Sequence, residues 1–180
     1  MLPRPTIEAF DAWLEERSLR LEAIVIGGSA LGLLGITDRQ TRDVDVLHPE
    51  LPEDVAQAAR DFAAHTRDQG VALADDWLNN GPMQVADVLP EGWRLRVQVA
   101  YGGKALKLLT LGRGDLLKTK LFALCDRGTD LGDCMALAPT AEELDQAEPW
   151  VMKQDANPLW PDHVRATLDD LRRRLGYGLH

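Results

Sequence analysis

The sequence predicts an α+β fold, a small mixed β-sheet flanked by helices, with a helical C-terminal part. Three observations carry this expectation. Helix-like and strand-like apolar patterns alternate through the first part of the chain. The pair Gly27-Gly28 cuts off a run rich in β-branched residues. Beyond Leu116 the spacing is helical only.

The first helix is expected from Thr6 to about Arg17, where Ile7, Phe10, Trp13 and Leu14 recur at helical spacing and acids fill the opposite face. Leu21 to Ile26 reads as a buried strand ending in a tight turn at Gly27-Gly28. Ser29 is placed to cap a short helix, Ala30 to Leu34, which Gly35 ends. After a polar stretch, Asp43-Val44-Asp45-Val46 alternates as a strand does, both acids to one side and both valines to the other. A helix from Pro52 to about Thr66 follows. Gln69 to Gly92 predicts one strand and a turn in VALADDWLNNGP, then a loop. Leu95–Tyr101 and Ala105–Leu109 predict a hairpin across Gly102-Gly103. Helices are then expected over Leu116–Asp126 and Asp130–Leu137, from a capping box at Thr140 to Glu143 with a break at Pro149, and from Asn157-Pro158 to Gly176 with Val164, Leu168, Leu171 and Leu175 on one face. This divides the chain into a core at residues 1–138 and a helical extension at 139–180 packed on it.

Composition narrows the function classes. Twenty Lys plus Arg against 29 Asp plus Glu give a formal charge of -9, which opposes binding a polyanion over a general surface. The basic run Arg172-Arg173-Arg174 sits beside Asp169 and Asp170 and reads as a mixed-charge helix face. Cys125 and Cys134 lack CxxC spacing and a neighbouring His, so they read as buried or idle thiols. No run approaches the roughly 18 uninterrupted apolar residues of a membrane span, and the first residues have no secretory apolar core. A cytoplasmic protein without membrane partners is the expectation.

Two pieces of sequence carry chemistry. A strand ending in Gly27-Gly28-Ser29 lets backbone approach a ligand closely, and its amides and the serine hydroxyl can meet phosphate oxygens. Asp43 and Asp45, side by side on one strand face, repel unless a cation joins them, and Mg²⁺ commonly uses one or two carboxylates with phosphates and water. Each piece has a plain alternative: glycine turns after strands are common, and alternating acids also mark a solvent-facing edge strand.

Taken together these residues resemble the DNA polymerase β-like nucleotidyltransferase superfamily, whose hallmark is a strand, a Gly-Gly-Ser turn, a short helix and a strand bearing DxD. Within it the chain resembles the abortive-infection toxin (AbiEii-type) group, on Ala30, Leu31, Gly35, Arg39 and Thr41, and downstream on Lys120 to Arg127 and Asp130 to Asp133. The resemblance implies a nucleotidyltransferase fold in which Asp43 and Asp45 hold Mg²⁺ or Mn²⁺ against a nucleoside triphosphate. It implies that Gly27, Gly28 and Ser29, with Arg39, Thr41 and Arg127, contact the nucleotide, and that Lys120 and Asp130 line the cleft as catalytic groups. Lys120 also reads as an exposed helix lysine, and Asp130 as the cap of the helix that begins there.

The chain departs from the pattern at two places. Gln98 stands on the strand Arg94 to Ala100, where the superfamily commonly carries a third carboxylate, and Thr129 replaces the lysine before Asp130. The expected function is transfer of a nucleoside monophosphate to an RNA end, such as tRNA, or to a protein hydroxyl, with an antitoxin protein as a further partner. The alternatives are a module that binds nucleotide or protein without turnover, and a purely structural domain.

Overall fold

A computed structural model describes residues 1–178. The chain forms two compact units, Met1–Leu111 and Gly112–His180, so that the first two helices after residue 111 group with the C-terminal helices.

The first unit is built on a five-stranded mixed sheet in the order β3-β2-β1-β5-β4. Its elements are α1 (Pro3–Glu16), β1 (Leu21–Ile26), α2 (Gly27–Leu33), β2 (Val44–His48), α3 (Glu53–Asp68), β3 (Leu78–Asn79), α4 (Val85–Val88), β4 (Gln98–Gly102) and β5 (Leu106–Thr110). β1 lies between an antiparallel β2 and a parallel β5, and β4 closes the far edge as an antiparallel hairpin with β5. The α+β expectation holds.

The core follows from the apolar stripes. Ile7, Phe10 and Leu14 of α1 and Val55, Ala59 and Phe62 of α3 pack against Ala23, Val25, Val44, Val46 and Leu108 of the sheet. Trp77 stands at the centre, edge-on to Phe10 at 5.0 Å and 5.7 Å from Phe62, with its indole N–H satisfied by the Ala59 carbonyl at 3.0 Å.

Several sequence expectations are corrected. α1 starts at Pro3 rather than Thr6, because proline is tolerated in a first helical turn where its missing N–H has no partner to lose. Asp11 does not join the acids on the open face of α1. It is buried, and its carboxylate accepts the backbone N–H groups of Lys104, Ala105 and Leu106 at 3.1, 2.9 and 2.7 Å, pinning the β4–β5 turn to the helix. Residues Arg94–Arg96, expected to open a strand, belong to a 3₁₀ turn, Trp93–Arg96, instead. There Trp93 is the buried residue, and the Arg94 guanidinium lies over its ring at 4.4 Å. The strand starts only at Gln98.

The second unit consists of α5 (Arg113–Arg127), α6 (Leu131–Leu137), α7 (Ala141–Val151) and α8 (Trp160–Arg174). The capping box opens α7 as expected: Thr140 accepts from the Glu143 N–H, and the Glu143 side chain accepts from the Thr140 N–H. Pro149 lies inside α7, which ends two residues later rather than at the proline. Val164, Leu168 and Leu171 of α8 are buried, and Trp160 donates to the Val151 carbonyl at 2.9 Å. Arg172 pairs with Asp145, Glu148 and Asp169, while Arg173 and Arg174 pair with Asp170, a mixed-charge face. Among the described residues no helix is long and apolar enough to cross a membrane.

Candidate functional site

The β1–β2 register brings the first cluster together. Ile26, the last residue of β1, pairs with Asp45, and Val25 pairs with Val46. Asp45 therefore stands beside the point where the chain leaves the sheet. Along β2 the buried Val44 and Val46 anchor the strand in the core with the half-buried Asp45 between them, while Asp43, expected on the strand, lies half-buried just before its first residue. The predicted two-residue alternation is seen over Val44-Asp45-Val46, and the strand does not reach back to Asp43.

The turn itself is shaped around this carboxylate. Gly27 has a φ of 81°, in the left-handed region, and a Cβ there would stand 2.7 Å from Asp45 Oδ2. A Cβ on Gly28 would lie 3.0 Å from Arg39 Nη2 and 3.0 Å from Thr41 Cγ2. The loop between α2 and β2 thus folds back over the glycines. Gly27, Gly28, Arg39, Thr41 and Asp45 form one constellation, with Asp43 at the entrance to β2.

Ser29 takes a different place from the one expected. It does not cap the helix, which begins at Gly27; it is fully buried, and its hydroxyl donates back to the Ile26 carbonyl at 3.3 Å. Its contribution is to hold the turn from within, together with the buried Ala30, Leu31 and Leu33 that seat α2.

The donor set suits a hard divalent cation. Asp45 offers a carboxylate oxygen beside a turn that excludes side chains, Asp43 lies two residues before it, and two carboxylates are the usual protein share of a Mg²⁺ site completed by phosphate and water. Among the described residues no group of three or more His, Cys, Asp or Glu side chains forms a site built of protein ligands alone.

The strands expected to bear a third acid carry none. β3, β4 and β5 read LN, QVAYG and LKLLT. Gln98 opens the edge strand β4, pairs with Thr110 and donates to the Leu111 carbonyl at 3.1 Å. Thr110, in register with Val25, donates to the Val25 carbonyl at 2.7 Å. Sequence reasoning passed over Asn79, which β3 sets level with Asp45. Its Oδ1 accepts the Gly81 N–H at 2.7 Å, so it shapes a turn that the Asn79-Asn80-Gly81-Pro82 signature marks.

The second cluster lies on α5 and α6. Lys120 is buried, and its Nζ donates to Asp130 Oδ1 at 3.0 Å and to Asp133 Oδ2 at 2.6 Å. Arg127 and Thr129 donate to the other oxygen of Asp130 at 3.3 and 3.2 Å. Lys120 is therefore no exposed helix lysine. Asp130 occupies the N-cap position of α6, but its carboxylate makes no cap hydrogen bond and serves Lys120 instead. Burial pushes the Asp130 carboxyl up, yet the hydrogen bond and charge of Lys120, with Arg127 and Thr129, hold it below its ordinary value. Two cations and two anions leave this group neutral, which is how it tolerates burial. Asp133 is the partner that sequence reasoning left unassigned; its spacing of three residues from Asp130 was the available signal.

Both cysteines are buried free thiols. Burial pushes Cys125 up to about 11 and Cys134 up to about 12, so neither is a thiolate nucleophile at neutral pH.

No curated protein and no solved structure matches the chain. A family described as nucleotidyltransferases of unknown function (DUF6036) matches residues 6–137, which include the glycine turn, both aspartates and the Lys120–Asp133 cluster. Because the match covers most of the chain, and includes the β1 strand, the glycine turn and the β2 strand paired with β1, this protein belongs to that nucleotidyltransferase family.

Proposed function

We propose that the protein is a Mg²⁺- or Mn²⁺-dependent nucleotidyltransferase that moves a nucleoside monophosphate from a nucleoside triphosphate to a hydroxyl of RNA or protein, as the toxin of a toxin and antitoxin pair of the AbiEii type. The observation that carries the reading is the contact between Gly27 and Asp45. A turn that admits only glycine, set against a carboxylate, gives a phosphate chain a close approach to backbone and a metal ligand in one place.

Asp43 and Asp45 are the residues that would hold the metal. When bound, the ion neutralises phosphate charge and polarises the phosphorus under attack. The amides of the Gly27-Gly28-Ser29 turn bind phosphate oxygens, and Arg39 adds a fixed positive charge beside Gly28. Arg39 thereby orients the triphosphate for displacement of pyrophosphate by the incoming hydroxyl. Lys120, Asp130 and Arg127, which lie in the second unit, enter this reading only through the family resemblance. The net charge of -9 makes a small or locally docked acceptor a better fit than a long nucleic-acid surface.

A second reading is favoured by the composition of β3, β4 and β5, which carry no Asp or Glu. A site without a third carboxylate lacks the usual general base, and it then binds nucleotide or a protein partner without turnover.

Incubation with each α-labelled nucleoside triphosphate, Mg²⁺ or Mn²⁺, and total tRNA or cell lysate separates the two. Label transfer that vanishes in an Asp43→Asn/Asp45→Asn variant is the expected result. Nucleotide binding without transfer establishes the second reading, and absence of binding removes both.

A further inference from the structure

The carbonyls of the last two β1 residues each accept a side-chain hydroxyl. Thr110, at the end of β5, donates to the Val25 carbonyl at 2.7 Å, and Ser29, inside α2, donates to the Ile26 carbonyl at 3.3 Å. The first of these is the shorter, at the usual distance for a hydroxyl donor. β5 ends at Thr110, so its pairing with β1 ends at Val25, and the β1–β2 register is irregular between Ile24 and Val25. The hydroxyls thus act where the sheet's own pairing runs out.

Peptide planarity carries this hold forward. The Val25 carbonyl shares one rigid plane with the Ile26 N–H, and the Ile26 carbonyl shares the next with the Gly27 N–H, the first amide of the turn. Ile26 is also the residue in register with Asp45. Ser29 moves with the turn it holds, whereas Thr110 belongs to the sheet and supplies the fixed reference. Packing gives no other reason for a hydroxyl there. Thr110 is fully buried and follows the buried Leu106 and Leu108 on the same face of β5, a row that valine would complete without burying a polar atom.

We infer that Thr110 is a positioning residue of the nucleotide site, aiming the Gly27-Gly28 amides and Asp45 at the phosphates through the Val25 carbonyl. This rests on the nucleotidyl-transfer reading and adds to it a residue that touches neither nucleotide nor metal. Preorganised donors bind a charged group well because their direction is set before the ligand arrives. Without the Thr110 hydroxyl the turn keeps its glycines and its carboxylate but loses the tie that fixes their direction. Binding then has to order them first.

The test is a titration of the wild-type protein, Thr110→Val, Thr110→Ser and Val55→Ala with a nucleoside triphosphate and Mg²⁺, at a temperature where circular dichroism shows each one folded. Tm is measured on all four. Val55→Ala truncates a buried side chain of α3 in the same core and reports what a loss of stability alone does to binding. Thr110→Val is expected to bind the triphosphate about fivefold more weakly, the scale of one ordinary hydrogen bond. Thr110→Ser should stay near the wild type, and Val55→Ala should lower Tm with affinity unchanged. Should Thr110→Val not fold, Thr110→Cys, with a weak donor on a side chain of similar size, takes its place and should bind more weakly than Thr110→Ser. A Thr110→Val protein with a lower Tm and wild-type affinity overturns the inference, by making the bond merely structural. Equal losses of affinity in Thr110→Val and Val55→Ala, or in Thr110→Val and Thr110→Ser, overturn it too, by tracing the loss to stability or to packing. Each of these leaves the nucleotidyl-transfer reading standing. A wild-type protein that binds no triphosphate overturns both.

Discussion

At Gly27 a φ of 81° and a carboxylate oxygen 2.7 Å from the missing Cβ impose glycine for two separate reasons. An alanine there meets the cost of the left-handed region, about 1–2 kcal/mol, and also pushes on Asp45. Gly27→Ala is therefore expected to lower the urea unfolding free energy by at least that amount and to weaken nucleotide binding, because the carboxylate is the group that has to move. Asp11 shows the same logic in a structural role. Burial pushes its carboxyl up, but three backbone N–H groups and the Tyr101 hydroxyl hold it below its ordinary value. The glycine turn and the Asp43-Val44-Asp45-Val46 alternation were legible in the sequence because their causes are local. Asp11 was not, because its partners lie more than 90 residues away and an acid on an amphipathic helix looks the same whether it faces water or a hairpin.

Elements differ in legibility for comparable reasons. α7 announced its start through Thr140 and Glu143, and α8 its inner face through Val164, Leu168 and Leu171, since capping and helical period are written into neighbouring residues. β3 has two residues and α4 four, too short for any period to show. Arg94-Leu95-Arg96 alternates like a strand, yet Leu95 is 91% exposed; the pattern has no sheet to bury it and the segment turns about Trp93 instead. On α5 and α6 the important fact is also non-local: Lys120 draws Asp130 and Asp133 into one buried group. The lowered Asp130 pKa fixes the sign of its pH dependence. Its contribution is present above the unfolded value of about 3.8 and is lost as pH falls through the lower folded value. Urea midpoints should stay level between roughly pH 7 and 5 and drop below about 4. Asp130→Asn, which cannot ionise, should start about 1–3 kcal/mol lower at neutral pH and show a shallower acid limb. An unchanged acid limb in that variant would remove the ion group as its cause.

For the whole molecule, the family match, the mixed sheet and the acidic surface have to fit one account. The match spans residues 6–137 and so draws on both compact units, Met1–Leu111 with the glycine turn and aspartates, and Gly112–His180 with the Lys120 group. On the proposed reading, a protein with a formal charge of -9 would bind a triphosphate only through a local site, and a divalent cation held by Asp43 and Asp45 would be the natural means of overcoming the repulsion. The central claim is that these two aspartates and the glycine turn are the nucleotide site. Equilibrium binding of nucleoside triphosphates to the wild type and to Asp45→Asn, each with Mg²⁺ and with excess chelator, tests it most directly, with circular dichroism confirming that both are folded. The account predicts tight binding by the wild type only when Mg²⁺ is present, and at least tenfold weaker binding by Asp45→Asn, as expected when a charged ligand interaction is removed. Equal affinities in all four conditions would contradict it.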